Sequence, residues 1–149
     1  IYIGNGSHSE NLCLLKKNKF KHIFNCAINI PNYYPNDFNY VKLPLNDDKT
    51  ELKLINFIPL FIESMNQIKN EMNEEEESIF IHCEFGKSRS IAFIIIYIMY
   101  YHNKTFDEAY DIAKFKRPVI DMNLNFKSDI LEYFQKNPTH NNKVYKISI

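Results

Sequence analysis

Residues 81–90 read Ile81-His82-Cys83-Glu84-Phe85-Gly86-Lys87-Ser88-Arg89-Ser90. The residues from Ser78 to Ile81 have the length and apolar character of a short buried strand, and the chain from Arg89 onward has the composition of an apolar helix. Cys83 is therefore predicted to lie in a turn between a strand and a helix. Backbone N–H groups at such a turn and the positive end of the helix dipole favour an anion, so we expect the stretch to wrap one phosphate group.

Four residues of this turn fit the chemistry of phosphate transfer. The helix N-terminus, the loop amides and the guanidinium of Arg89 favour the thiolate form of Cys83, which is a strong nucleophile. The planar fork of Arg89 suits two phosphate oxygens. Gly86 permits a backbone φ that a side chain would forbid in a tight loop. The hydroxyl of Ser90 can donate a hydrogen bond to the sulfur and make it a better leaving group.

A cysteine and an arginine at this spacing are weak evidence by themselves. Cysteine is often only a small core residue, and surface arginines are common. The strand, the glycine and the helix around Cys83 and Arg89 stand where the chemistry needs them, and this context favours the phosphate site over a chance arrangement.

The stretch resembles the H-C-x-x-G-x-x-R-[S/T] loop of the cysteine-dependent protein tyrosine phosphatases. Every fixed position of that pattern is matched, by His82, Cys83, Gly86, Arg89 and Ser90. The Ser-Arg-Ser ending is most similar to the dual-specificity branch. Further similarity to that branch runs through Tyr2-Ile3-Gly4, Val41-Lys42-Leu43-Pro44-Leu45-Asn46-Asp47, Arg117-Pro118 and Asn123-Leu124-Asn125-Phe126.

The resemblance implies that phosphate monoesters are hydrolysed in two steps through a phosphocysteine on Cys83, with no metal ion or other cofactor. It implies that the phosphate oxygens are bound by the guanidinium of Arg89 and by the loop amides, which belong to Glu84, Phe85, Gly86, Lys87, Ser88 and Arg89. Neighbouring residues of a strand point to opposite faces. We therefore expect His82 to position the loop, and not to act as a general base.

The leaving oxygen needs a proton, which a carboxylic acid can supply. Asp47 lies three residues after Pro44, just beyond a predicted strand, where the dual-specificity branch places its acid. We assign the role to Asp47, with Asp48 as the first alternative and Asp121 as the next. For Asp47 and Asp48 a purely local role remains open, because turn aspartates often bond to their own backbone.

The resemblance implies a protein phosphatase that accepts phosphotyrosine, phosphoserine and phosphothreonine. Phosphotyrosine-specific relatives carry an extra recognition loop that deepens the pocket, and no segment here supplies one. Lys87 leaves phosphoinositides and other non-protein phosphomonoesters open as substrates, since related loops with such a lysine act on phosphoinositides. A non-catalytic phosphate-binding module and a rhodanese-type sulfurtransferase are further alternatives. Cys83, Arg89 and a candidate acid count against the first, and Arg89 with Ser90 counts against the second.

Length and element order predict an α/β fold. With 149 residues the chain is long enough for one core, and we expect a single domain over residues 1–149, of which 137–149 form a flexible tail. Strands and helices alternate, which predicts a central, mostly parallel twisted sheet flanked by helices. The phosphate-binding loop is expected to join a central strand to its helix.

Composition narrows the environment in which the chain works. Its formal net charge is zero, which gives no reason to expect nucleic acid as a partner. The apolar stretch from Ile91 to Tyr101 is too short to cross a bilayer. Three cysteines without metal-ligand spacing favour a reducing compartment. We expect a cytoplasmic or nuclear protein whose partner is a phosphoprotein substrate, and we assume a monomer because the sequence does not give the oligomeric state.

Several local signals predict where helices begin and which way they face. Ser9, Thr50 and Thr105 are each expected to cap the start of a helix. Pro59 lies inside the second of these helices and is expected to kink it or divide it in two. In the last helix, Leu131 is expected to face inward together with its apolar neighbours.

Overall fold

A parallel β-sheet forms the centre of the computed structural model, which describes residues 1–47 and 53–138. The sheet has four strands, β1 (Tyr2–Gly4), β2 (Phe20–Asn25), β3 (Asn39–Lys42) and β4 (Ser78–His82). Their order is β1-β4-β2-β3, and each neighbouring pair is parallel. The last residue of β4, His82, pairs with Gly4 on one side and with Asn25 on the other. The predicted parallel sheet with an interior catalytic strand is confirmed.

Six α-helices and one 3₁₀ turn accompany the strands within the described ranges, and the last three helices follow β4. They are α1 (Gly6–Glu10), α2 (Leu12–Lys17), the 3₁₀ turn (Leu54–Asn56), α3 (Ile58–Glu71), α4 (Arg89–His102), α5 (Phe106–Lys116) and α6 (Leu124–Lys136). No helix among these residues is long and apolar enough to cross a membrane.

Apolar side chains cover both faces of the sheet. Ile23 and Phe80 pack with Leu15 of α2 in one cluster, whereas Phe24 and Ile81 belong to a larger cluster with α3 and α4. Successive side chains of a strand point to opposite faces. This explains the continuous apolar run of Ile79, Phe80 and Ile81 in the interior strand β4, as is typical of strands that are buried on both sides.

Helix α4 is the central helix of the larger cluster. All but two of its residues are buried, including Ile91, Phe93 and Ile95. It contacts the sheet as well as α3, α5 and α6. A helix that is apolar all round needs such packing on every side, so the start of α4 is placed firmly against the end of β4. The helix ends where Asn103 adopts the left-handed conformation, with a φ of 51°.

The prediction that Ser9 caps a helix is wrong. Two short helices occupy this region, and Asn5 and Asn11 cap them by accepting hydrogen bonds from the backbone N–H groups of His8 and Leu14. Ser9 is buried, and its hydroxyl donates to the carbonyl of Gly6 at 2.6 Å. Asparagine and serine are about equally good caps, so the sequence offered competing starts that only the packing decides.

The remaining local predictions have mixed outcomes. Pro59 lies in the first turn of α3, and the 3₁₀ turn precedes α3 as a separate element. The predicted division of this region is therefore confirmed, with a 3₁₀ turn and an α-helix as its two parts. Thr105 caps α5 in a capping box with Glu108, as predicted.

The predicted inward orientation of Leu131 is wrong. Its side chain is 43% exposed, because the buried face of α6 is centred on Ile130. Thr50, Asp48 and most of the predicted tail lie outside the described residues.

His82 faces away from the larger cluster. Its ring is stacked on that of Phe80, with 5.3 Å between the centroids, whereas Cys83 belongs to the cluster on the other side. Burial, opposed by the nearby backbone of Cys83, lowers the pKa of His82 to about 4 from its ordinary value of 6.5. His82 is therefore a neutral imidazole at physiological pH.

We predict that acid destabilises the fold through His82. The unfolded chain binds this proton near pH 6.5, whereas the folded chain binds it only near pH 4. The contribution of His82 to the free energy of unfolding is therefore fully present above pH 6.5 and is lost as the pH falls towards 4. In His82→Phe the free energy of unfolding should fall less steeply over this interval, by up to about 1.4 kcal/mol per pH unit. Urea unfolding at a series of pH values measures the slope.

The control for this experiment is His102→Phe. His102 is only partly buried, and this variant leaves His82 in place, so it should keep most of the wild-type slope. An unchanged slope in His82→Phe would contradict the prediction.

Candidate active site

The sulfur of Cys83 lies at the carboxyl end of β4, in the turn that leads to α4. The backbone N–H of Gly86 donates to the sulfur at 3.2 Å, and the hydroxyl of Ser90 lies 3.2 Å from it. Cys83 is only 2% exposed. A backbone amide and a hydroxyl therefore both contact this one buried sulfur. The contact between Ser90 and the sulfur is the one predicted from the sequence.

Gly86 allows the loop to curl back against the first strand. Its φ is +65°, in the region that favours glycine. A Cβ atom at this position would lie 2.6 Å from the carbonyl oxygen of Gly4 and 3.0 Å from Nη2 of Arg117. Arg117 closes the loop from outside, because its Nε donates to the carbonyl of Gly86 at 2.8 Å. Both the backbone conformation and the close packing therefore require glycine here.

Ser88 occupies the N-cap position of α4 but does not cap the helix with its side chain. Its hydroxyl donates to Oδ1 of Asp47 at 2.8 Å and accepts from the backbone N–H of Asn123 at 3.1 Å. The first amides of α4 are therefore left without a side-chain cap. Such amides, together with the helix dipole, make an anion-binding site.

The guanidinium of Arg89 is almost completely buried, with 4% of its side chain exposed. Nη1 donates to Oδ1 of Asn29 at 3.0 Å and to the carbonyl of Leu45 at 3.3 Å, and Nη2 donates to Oε2 of Glu84 at 3.1 Å. A guanidinium has five N–H donors, so two remain, on Nε and Nη2. Among the described residues Nε has no hydrogen-bond partner. A buried, unpaired donor of this kind is suited to an oxyanion ligand.

Asp47 lies beside this guanidinium, at the rim of the site. Its Oδ2 is 3.6 Å from Nε of Arg89, its Oδ1 accepts from Ser88, and 38% of its side chain is exposed. The backbone carbonyl of Asp47 accepts a hydrogen bond from Nδ2 of Asn123 at 2.9 Å. The carboxylate is thus both accessible and fixed near the phosphate-binding donors, which are the two properties that a general acid needs.

The structure describes only one of the two alternative acids, Asp121. Asp48 lies outside the described residues. The backbone N–H of Asp121 supports the loop by donating to the carbonyl of Lys87 at 2.9 Å, and Asp121 itself is exposed. No contact of the Asp121 carboxylate with Cys83 or Arg89 occurs in the described part of the chain.

Three further residues of the predicted loop are Glu84, Phe85 and Lys87. Phe85 is 63% exposed, and Lys87 is exposed as well. The carbonyl of Glu84 accepts from the backbone N–H of Gly6 at 2.9 Å, which joins the loop to the start of α1.

The predicted positioning role of His82 is not tested by its contacts. Neither ring nitrogen makes a hydrogen bond of normal geometry with a described residue, so this role stays a prediction.

Two asparagines of the site were not identified from the sequence. Asn29 contacts Arg89 from 60 residues away along the chain, and no local pattern marks such a contact. Asn123 joins Asp47 to the start of α6, where it also accepts from the backbone N–H of Asn125. An asparagine immediately before an apolar periodic segment is a helix-cap signal, and that signal could have drawn attention to Asn123.

Cys26 is a second buried thiol next to the site. Its backbone N–H donates to the carbonyl of His82 at 2.8 Å. Burial, assisted by the neighbouring Cys83, raises the pKa of the Cys26 thiol well above its ordinary value. Cys26 therefore stays protonated at neutral pH and does not compete as a nucleophile.

Comparison with known proteins agrees with this geometry. Residues 1–136 match the family model described as dual specificity phosphatase, catalytic domain. Human dual specificity protein phosphatase 14 is 32% identical over 133 residues, which cover 89% of this chain and 65% of that protein. The protein-tyrosine-phosphatase MKP1 of Arabidopsis thaliana is 31% identical over 155 residues, which cover 99% of this chain and 19% of that protein. The chain thus spans between about a fifth and two thirds of the length of these curated relatives.

Solved structures show the same fold. The human tyrosine phosphatase-like serine/threonine/tyrosine-interacting protein superposes with a TM-score of 0.78 at 25% identity, covering 90% of each chain. A mouse putative dual specificity phosphatase complexed with zinc tungstate superposes with a TM-score of 0.76 at 24% identity, covering 90% of this chain and 81% of the other. Because the family model matches nearly the whole chain and the Cys83 loop has the geometry that its motif implies, the chain belongs to the dual specificity phosphatase family.

Proposed function

We propose that the chain is a protein phosphatase that hydrolyses phosphotyrosine, phosphoserine and phosphothreonine through a phosphocysteine intermediate. One observation carries the proposal. The sulfur of Cys83 accepts a hydrogen bond from the N–H of Gly86 and contacts the hydroxyl of Ser90, and the same loop carries a buried guanidinium whose Nε has no hydrogen-bond partner among the described residues. A partly exposed carboxylate lies 3.6 Å from that Nε. Membership of the family supports it.

In the first step the thiolate of Cys83 attacks phosphorus. A sulfur–phosphorus bond forms, the bond from phosphorus to the ester oxygen breaks, and Asp47 gives its proton to the departing oxygen. The loop amides of residues 84–89 and the two remaining donors of Arg89 bind the non-bridging oxygens. Donors that are already in place stabilise the charge of the transition state without reorganisation.

In the second step water attacks the phosphocysteine. The carboxylate of Asp47 takes a proton from the water, an oxygen–phosphorus bond forms, and the sulfur–phosphorus bond breaks. The sulfur leaves as a thiolate, and the contacts from Gly86 and Ser90 at 3.2 Å stabilise it. The enzyme is regenerated with Asp47 protonated, and the net reaction consumes one water and releases phosphate.

Substrate class is inferred from the relatives and from the loop. Human dual specificity protein phosphatase 14 is named for protein substrates, and the described part of the chain aligns with much of it. A phosphoinositide or another non-protein phosphomonoester is the second candidate, and Lys87 favours it. Lys87 is exposed and has no carboxylate partner among the described residues, since Glu84 is paired with Arg89.

The location of the chain is a separate part of the proposal. A nucleophilic Cys83 favours an intracellular, reducing compartment.

Cys83→Ser should abolish turnover but keep anion binding. The serine hydroxyl is a far weaker nucleophile, whereas the loop amides and Arg89 are unchanged. Phosphate release from para-nitrophenyl phosphate should fall below a few per cent of wild type, while the affinity for inorganic phosphate, measured by calorimetry, should change little. Cys13→Ser is the matched control, because Cys13 is exposed and remote in sequence from the loop. Residual turnover well above this level would contradict covalent catalysis by Cys83.

Arg89→Lys should lower kcat/KM by at least about tenfold, which corresponds to about 1.4 kcal/mol. Lysine retains the charge but cannot bridge two phosphate oxygens or donate to Asn29, Leu45 and Glu84 together. Steady-state kinetics with para-nitrophenyl phosphate measure the loss, and the melting temperature checks that the variant is folded. Wild-type kinetics would show that Arg89 does not contact the phosphate.

Asp47→Asn should affect substrates according to their leaving groups. A general acid contributes about 10²–10⁴-fold when the leaving oxygen is basic, as in phosphoserine or phosphotyrosine peptides, and far less when the leaving group departs unaided. Asparagine keeps an acceptor for the hydroxyl of Ser88, so the loop should stay in place. Rates for a phosphopeptide and an activated aryl phosphate are compared in Asp47→Asn, Asp48→Asn and Asp121→Asn. A leaving-group effect in one of the other two variants would move the assignment to that residue.

A further inference from the structure

Asn29, Glu84 and Arg89 form a closed ring of three hydrogen bonds. Nη1 of Arg89 donates to Oδ1 of Asn29 at 3.0 Å, Nδ2 of Asn29 donates to Oε2 of Glu84 at 2.9 Å, and Nη2 of Arg89 donates to the same Oε2 at 3.1 Å. We propose that Asn29 and Glu84 are positioning residues, which fix the guanidinium of Arg89 so that its Nε–Nη2 edge faces the substrate phosphate. The proposal rests on the proposed function.

The ring determines which donors of Arg89 are used. The end of the guanidinium, formed by Nη1 and Nη2, is bound by Asn29, Glu84 and the carbonyl of Leu45. The side edge is formed by Nε and the second hydrogen of Nη2. Among the described residues Nε has no hydrogen-bond partner, and Oδ2 of Asp47 lies 3.6 Å from it. A phosphate can therefore bind two parallel N–H groups without displacing Glu84. Bidentate pairing of this kind depends strongly on orientation.

Asn29 is itself held in place by the backbone. The N–H of Ile28 donates to the carbonyl of Leu45 at 3.0 Å, and this same carbonyl accepts from Nη1 of Arg89. Asn29 is thereby fixed next to the segment that leads to Asp47. Its amide orientation is determined by the ring, because only the oxygen can accept from Arg89 and only the nitrogen can donate to Glu84.

The contribution of Glu84 comes mainly from geometry. Its side chain is 37% exposed, so solvent screens its charge and weakens its repulsion of an incoming phosphate. One carboxylate oxygen accepts both hydrogen bonds, and a glutamine oxygen can accept the same two. Glu84→Gln therefore tests the geometry without the charge, and Glu84→Ala removes both.

The kinetic test measures kcat and KM for para-nitrophenyl phosphate, together with the affinity for inorganic phosphate. Asn29→Ala and Glu84→Ala should each lower kcat/KM by about fivefold or more, with kcat carrying most of the loss, because a misplaced guanidinium stabilises the transition state less. Glu84→Gln should recover most of the activity lost in Glu84→Ala. Asn70→Ala, on the exposed side of α3, is the matched control.

A double-mutant cycle with Arg89→Lys separates positioning from a general structural role. If Asn29 acts through the fork of Arg89, then Asn29→Ala should have little further effect once that fork is gone. An equal loss in both backgrounds would overturn the proposal, as would wild-type kinetics in both Asn29→Ala and Glu84→Ala. Melting temperatures show which variants are folded, and Glu84→Ala carries the test if Asn29→Ala is not.

Failure of the proposed function can be distinguished from failure of the positioning role. If the wild type shows no turnover, then the protein is not a phosphatase, and the ring is tested by phosphate affinity alone. Asn29→Ala should then weaken phosphate binding in the wild-type background and not in Arg89→Lys. In a protein that does not turn over substrate, unchanged phosphate affinity in Asn29→Ala would overturn the positioning role.

Discussion

A positive charge buried beside the central strand is the constraint on which the site depends. The guanidinium of Arg89 cannot be left unsolvated, since an uncompensated buried charge costs several kcal/mol. Asn29 and Leu45, from segments distant in sequence, converge with Glu84 of the same loop to accept its hydrogen bonds. Their convergence fixes the guanidinium and leaves its Nε without a hydrogen bond to the described residues, which is the edge that we propose binds phosphate. The same hydrogen bonds therefore compensate the buried charge and orient the guanidinium for the proposed site.

The carboxylate of Asp47 is built into this arrangement by a second set of contacts. Ser88 links Asp47 to the start of α4, and Asn123 links it to the start of α6. Because the serine hydroxyl is engaged in this way, it does not cap α4, and the first amides of the helix are available to the loop. The side chain of Ser88 thus contacts the proposed proton donor and leaves free the helix amides of the proposed anion site, which explains why the two lie close together.

The sequence was sufficient wherever structure follows from neighbouring residues. The strand before Cys83, the apolar helix after Arg89 and the cap at Thr105 depend on local patterns, and all are present. Ser9 was misassigned because Asn5 and Asn11 are equally good caps, and the difference lies in tertiary packing. The role of Asn29 could not be predicted, since its partners are 55 and 60 residues away and asparagine in a loop has many other uses. The assignment of Asp47 came from resemblance, and the contacts with Ser88 and Arg89 now give it a physical basis.

The close packing of Gly86 against Gly4 has a consequence for the order of folding. The loop closes over the first strand, and its neighbour Glu84 accepts a hydrogen bond from Gly6, so residues near both the start and the middle of the chain must meet before the pocket exists. Contacts of such high sequence separation form late, because each requires a long loop to close first. A refolding experiment followed by enzyme activity would therefore report the last contacts to form, whereas helical circular dichroism would report earlier ones. A peptide that spans only β4 and α4 would contain the whole signature motif and yet have no pocket.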